Sequence, residues 1–331
     1  MNRRPPVLVI SKAVVGFLQY KQAEGLSPRT IDSYSSDLKL WLEFQEDVEV
    51  NKVSAQNIRQ YITFLLNDYV PRRITGNNHI KLSPKTVHNV WITLSAFFHW
   101  VSDEFEIPNV MKSVPGPKYQ EPPVEPFSKE EVEALLKACD YCREAQTERR
   151  HKFTMRRPTG YRDRALILML LDTGLRASEL CSLLIEDLDM NTGKVTVKHG
   201  VAGGAKGKKG RIVYMGKVTR KSIWRYLANR EDGEDPKAPL FIGKYNHTLN
   251  RDTLRQIINS LGEKAQVKKC YPHRFRHTMA IRYLRAGGDL FTLQALLGHS
   301  SLEVVQIYAK ISGMDIEQMH SKASPADNWH L

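Results

Sequence analysis

The chain has 331 residues, 41% hydrophobic and 26% charged, and its 49 Lys plus Arg outweigh 36 Asp plus Glu for a formal charge of +13. That length suggests two domains, and so basic a balance favours a polyanionic partner, nucleic acid above all. No apolar run reaches the ~18–20 residues that span a bilayer, the basic start lacks a secretory cleavage pattern, and four cysteines make no disulfide framework, so the expected setting is a reducing, nucleoid-associated cytosol without membrane.

The first hundred residues read as four helices. Residues 11–24 form an amphipathic stretch that stops at Gly25. Ser27-Pro28 and Ser83-Pro84 each place a capping serine before a proline in the first helical position. Each is followed by apolar residues at helical spacing: Ile31, Tyr34, Leu38 and Trp41 in one case, Val87, Val90, Leu94 and Phe97 in the other. A further helix is expected over 54–68. Six prolines between Pro108 and Pro126 favour an extended tether. The expected organisation is therefore a helical domain over 1–107, a linker over 108–126, a second domain over 127–312 and a tail over 313–331.

Ser128 opens the second domain with a capping box, S-K-E-E. The Arg-rich stretch 143–162 reads as a loop, either mobile or facing DNA. Helices are expected at 161–173 and 177–185, and a β-hairpin with a Gly/Lys-rich tip at 193–215. The rest reads as helices at about 219–230, 250–265, 273–286, 290–297, 301–310 and 315–322. The fold class is thus mostly α with a small β-hairpin.

Three segments collect chemistry. In Thr173-Gly-Leu-Arg-Ala-Ser-Glu-Leu180, Arg176 stands at a helix start, already suited to an oxyanion. In Pro272-His-Arg-Phe-Arg-His277, residues His273, Arg276 and His277 fall on one helical face. Two histidines at that spacing suggest zinc, but Arg274 and Arg276 repel a cation and attract phosphate, so no metal is expected. Leu296-Leu-Gly-His-Ser300 is followed by Tyr308, nine residues after His299. The pair Cys139 and Cys142 has no second pair to complete a metal site.

These motifs, in this order, resemble those of tyrosine recombinases of the phage-integrase family. The likeness covers about 127–322 strongly, and the N-terminal helices less specifically through S-P-x-T at 27–30 and 83–86. It implies a four-helix core-binding domain and a mixed α+β catalytic domain clamping DNA. It implies Tyr308 as nucleophile, Arg176 and Arg276 on the phosphate oxygens, His273 as base, His299 as phosphate hydrogen-bond donor and a 3′-phosphotyrosine intermediate. The family's hairpin lysine maps to Lys206 in Ala205-Lys-Gly-Lys-Lys-Gly-Arg211, with departures at Ala205 and Gly210 that leave Lys208 and Lys209 open. Glu179 and His277 are expected to support the site, and Arg29, Lys39, Lys85, His88 and Arg211 to contact DNA. No cofactor is expected, since the ester stores the bond energy and no P-loop is present. The implied partners are double-stranded recombination sites, three further copies in a homotetramer and accessory DNA-bending proteins. A type IB topoisomerase-like relaxation activity and a catalytically silent DNA-binding protein are the alternatives.

Overall fold

The computed structural model describes residues 8–72, 80–120, 124–141, 145–147, 150–153, 155–198, 210–243, 247–298, 308 and 324, with backbone alone over 145–147 and 150–153. They form two compact units, one up to residue 120 and the other from 124 onward.

The first unit holds α1 (Ile10–Ala23), α2 (Pro28–Gln45), α3 (Ala55–Asn67) and α4 (Pro84–Phe105). Ser27 and Ser83 accept from Thr30 N–H and Thr86 N–H, each at 3.2 Å, and a proline follows each cap. Their apolar faces close on Phe17, Trp41 and Phe97, with Phe17 and Trp41 meeting Phe97 edge-on. The start of the proline-rich stretch belongs to this core rather than to a free tether. Asn109 caps a 3-10 turn at Val110–Ser113, which drives Met111 and Val114 inward. Trp91 Nε1 donates to the Val114 carbonyl, and Arg59 Nη2 to that of Ser113.

The second unit is built around α6 (Gly160–Thr173), whose residues Ala165 to Leu170 are all buried. α5 (Lys129–Asp140), α8 (Lys217–Leu227) and α10 (Pro272–Arg285) pack on it. Such all-round burial explains the unbroken apolar run, worth about 1.5–3 kcal/mol per large side chain. The expected hairpin is β3 (Lys194–Val197) paired antiparallel with β4 (Arg211–Tyr214), Val195 opposite Val213 and Val197 opposite Arg211. α9 (Arg251–Lys264) and α11 (Leu290–Leu297) complete the described helices.

Two local expectations are corrected. The Arg-rich stretch contains a second antiparallel pair, β1 (Ala145–Thr147) with β2 (Arg150–Phe153), not a plain loop. The helix expected over 177–185 is only α7 (Ala177–Cys181). Ser182 Oγ and N–H both donate to the Glu179 carbonyl, tightening the last turn, and Asp187 caps the Leu184 N–H to begin a separate 3-10 turn. The helices expected over 301–310 and 315–322 lie outside the described residues, apart from Tyr308. No helix among the described residues is long and apolar enough to cross a membrane.

Candidate active site

Gly174 ends α6 in the left-handed region at φ 62°, a backbone state that favours glycine. The reversal places Arg176 as the N-cap of α7. Arg176 N–H donates to Glu179 Oε2 at 2.8 Å, and its Nη1 donates to Oε1 at 2.9 Å. From β4, Arg211 grips the same carboxylate with both ends of its fork, Nη1 to Oε1 at 2.8 Å and Nη2 to Oε2 at 2.7 Å. Burial alone would raise the Glu179 pKa. The hydrogen bonds and charges of Arg211 and Arg176 overcome it and hold the carboxyl at about 2.

The C-terminal end of α11 meets three arginines. Leu296 O accepts from Arg211 Nε at 2.7 Å, Leu297 O from Arg276 Nη2 at 2.6 Å and Gly298 O from Arg176 Nη2 at 3.3 Å. These are carbonyls a helix end leaves unsatisfied, at the negative pole of its dipole, so the cations cap the helix and the helix gathers the cations. Arg276 also donates Nη1 to Gly174 O at 2.8 Å and thereby bridges the ends of α6 and α11. It is 1% exposed, and its Nε has no hydrogen-bond partner among the described residues. Burial, then the neighbouring Arg176 charge, lowers its pKa to about 10, leaving it protonated at neutral pH. Two guanidinium groups thus share one carboxylate and a third, Arg276, adds its charge beside them, an excess of positive charge that calls for an anion.

His273 and His277 pack with ring centroids 4.4 Å apart, and Tyr308 lies 5.4 Å beyond His277. The His273 ring reaches solvent, yet desolvation by its neighbours and then the charges of Arg276 and Arg176 lower its pKa. His277 is lowered to about 4, by burial first and then by His273 and Arg276. Both imidazoles are therefore neutral at pH 7. Tyr308 is 3% exposed among Met279, Leu284, Leu293 and Leu297. Burial raises its phenol pKa, while Arg276 and Arg176 oppose the rise. Ring contacts join His273, His277 and Tyr308, a hydrogen-bonded ion pair joins Arg176 and Glu179, and Arg176 and Arg276 hold adjacent carbonyls at the end of α11.

Other expected residues stand differently. Lys206 and His299 lie outside the described residues, as does Cys142. Arg274 does not join the phosphate cluster. It faces away from Arg276 on α10, bonded to Glu131 and to the carbonyls of Glu125 and Lys268, with its guanidinium 3.9 Å from the Phe127 ring centre. His88 Nδ1 donates to the Pro117 carbonyl at 2.9 Å and its ring stacks on Trp91, so it ties the proline-rich stretch to α4. Arg211, expected on DNA, spends Nε and both Nη groups inside the protein. Arg29, Lys39 and Lys85 are exposed on α2 and α4. What the motifs did not reveal is the Arg211–Glu179 pair, whose members lie 32 residues apart. The one signal for it was an arginine closing the hairpin pattern.

Comparison with known proteins places the chain in a family. Residues 126–313 match the phage integrase family, and residues 15–106 match the N-terminal SAM-like domain of phage integrases. The chain belongs to the phage integrase family. Among its relatives are tyrosine recombinase XerC of Thermodesulfovibrio yellowstonii, 30% identical over 94% of this chain and 96% of that one, and XerC of Leptospira interrogans, 29% identical over 93% and 92%. Solved structures sharing the fold include the Tn1549 transposon integrase in complex with a circular intermediate DNA, with TM-score 0.71 and 18% identity over 91% of this chain and 94% of that one. XerH recombinase bound to palindromic difH substrate is another, with TM-score 0.63 and 21% identity over 90% and 80%.

Proposed function

We propose that Tyr308 is the nucleophile with which this enzyme, a tyrosine-type site-specific DNA recombinase, cleaves and rejoins duplex DNA. The observation that carries the assignment is the packing of Tyr308 against His277, ring centres 5.4 Å apart, on the helix that also carries His273 and Arg276: nearby cations would stabilise both an incoming phosphate and the phenolate that attacks it.

In the proposed step, Tyr308 Oη bonds to phosphorus, the phenol proton passes to neutral His273, and the P–O5′ bond breaks. Lys206 then protonates the departing O5′, leaving a 3′-phosphotyrosine and a 5′-hydroxyl. An unperturbed phenol has a pKa of about 10, so a base and nearby cations are needed at neutral pH. Arg176 and Arg276 would hold the non-bridging oxygens, where a planar fork fits better than an ammonium. His299 would donate a further hydrogen bond. Because the ester retains the bond energy, the reverse attack by a 5′-hydroxyl of a partner strand rejoins DNA without an external energy source.

The expected partners are double-stranded recombination sites, reached in the cytoplasm, with four copies of the chain assembled on two sites and accessory DNA-bending proteins assisting. Residues 313–331 are proposed to dock on a neighbouring subunit, and Arg29, Lys39 and Lys85 to approach the DNA backbone. The test is covalent trapping. Wild-type protein incubated with fragmented genomic DNA and quenched in detergent should carry DNA, and sequencing that DNA gives the site. Tyr308→Phe should carry none, and adducts in that variant would remove Tyr308 from the role. Holliday junctions formed between two copies of the recovered site mark recombination, whereas relaxation without junctions would mark a topoisomerase.

A further inference from the structure

We propose that Arg211 is a positioning residue of DNA cleavage: its guanidinium locks Glu179, the end of α11 and the root of the hairpin tip into one frame. The proposal deepens the function given above and rests on it.

Arg211 is the last residue of the β3–β4 ladder before the tip, opposite Val197. Lys206 stands five positions upstream. Arg211 opens strand β4 on the chain that follows that lysine. Three bonds fix it. Two parallel N–H groups hold both oxygens of Glu179, and Nε holds Leu296 O. Glu179 in turn holds the backbone and side chain of Arg176. Leu296 O lies one and two residues before the carbonyls gripped by Arg276 and Arg176. One side chain on the hairpin thus joins the two elements that aim the phosphate-binding arginines.

The packing agrees. A Cβ on Gly298 would come within 3.0 Å of Arg211 Cδ and 3.2 Å of its Nη1, so the arginine lies flat against the turn that follows α11. Its side chain is 14% exposed. Three of its five N–H donors, one on each nitrogen, bond inside the protein. Lysine cannot replace this fork, because an ammonium lacks the paired planar donors that reach two carboxylate oxygens and a carbonyl together.

The tests use DNA recovered from trapped wild-type adducts, built into a nicked suicide duplex. Arg211→Lys and Arg211→Gln should both bind it within about twofold of wild type, with an unchanged slope of log affinity against log salt. Both should cleave more slowly, by about 10²-fold at saturating DNA, as expected when a site shifts by ~1 Å. Arg211→Gln with Glu179→Gln should be no slower than the slower single variant, since the residues act as one unit. If instead Arg211→Lys restores cleavage, the paired effects add, or the salt slope falls by about 1 with cleavage intact, Arg211 is a phosphate contact and the proposal is wrong.

A readout independent of DNA protects the test. The groups facing Glu179 are Arg211 from β4, Arg176 from α7 and Arg276 from α10. In wild type the carbon-13 carboxyl resonance of Glu179, identified by its loss in Glu179→Gln, should stay at its ionised position down to pH 4. In Arg211→Lys it should titrate at higher pH, and an unchanged curve would refute the proposal. Should wild type trap no DNA at all, the function fails while this titration still decides the network.

Discussion

At the scale of single residues, the proposed role of His273 as base makes its protonation decide when cleavage can begin. A base that takes the Tyr308 proton must be neutral before it acts. Partial burial and the two arginine charges depress the His273 pKa, so the ring stays neutral to lower pH than a free imidazole. The sign follows: the acid limb of cleavage lies below the usual His value of ~6.5. Single-turnover cleavage of the recovered site should be flat from pH 8 to 6.5 and fall only at lower pH. His273→Gln should lose rate at every pH and lose that limb as well. An acid limb above pH 7 in wild type would mean that a group other than His273 takes the proton. His277 contacts both His273 and Tyr308, and its pKa of about 4 keeps a second positive charge out of the cluster.

At the scale of elements, the C-terminus of α11 is the part most exposed to small changes. Gly298 combines φ 63° with a contact surface made by Arg211. Gly298→Ala should cost about 1–2 kcal/mol for the left-handed backbone. It should also slow cleavage, because Arg211 must shift. Thermal melts and single-turnover rates measured together check this, and a destabilised variant that cleaves at the wild-type rate would separate the turn from the site. The contrast with the helix starts shows what a sequence can reveal. Ser27, Ser83 and Ser128 each accept a backbone N–H three residues on, a signal contained within four positions. The α11 clamp is not local. Its arginines come from β4, α7 and α10, and only the tertiary fold brings them to three adjacent carbonyls. Arg274 differs: residue type alone makes it look as suited to phosphate as Arg276, but its direction follows from local helix geometry. Helix geometry turns it about 200° away, towards Glu131 and Phe127. The motifs around Arg176 and His273 were legible because each lies at the start of a helix, where residue type and capping pattern read together.

At the scale of the whole molecule, each unit carries its own core, one centred on Trp41 and Phe97 and the other on the buried run of α6. The first keeps its own connecting segment through Met111, Val114 and His88, so a cut after residue 120 severs little apolar packing within either unit. A fragment from residue 124 to the end should therefore unfold cooperatively by itself. Its arginine cluster would remain, since Arg176, Glu179, Arg211 and Arg276 all lie within that unit. If the two units clamp DNA from separate surfaces, the fragment loses the phosphate contacts proposed for Arg29, Lys39 and Lys85. Each lost contact lowers the magnitude of the salt slope by roughly 0.9, and three of them weaken binding tenfold or more in moderate salt. Titration of the recovered site from 50 to 200 mM salt, with whole chain and fragment side by side, measures both quantities. Equal slopes would place the phosphate contacts entirely within the catalytic unit and leave the N-terminal helices with another task. A smaller slope for the fragment, with cleavage kept at saturating DNA, would assign grip to the first unit and chemistry to the second.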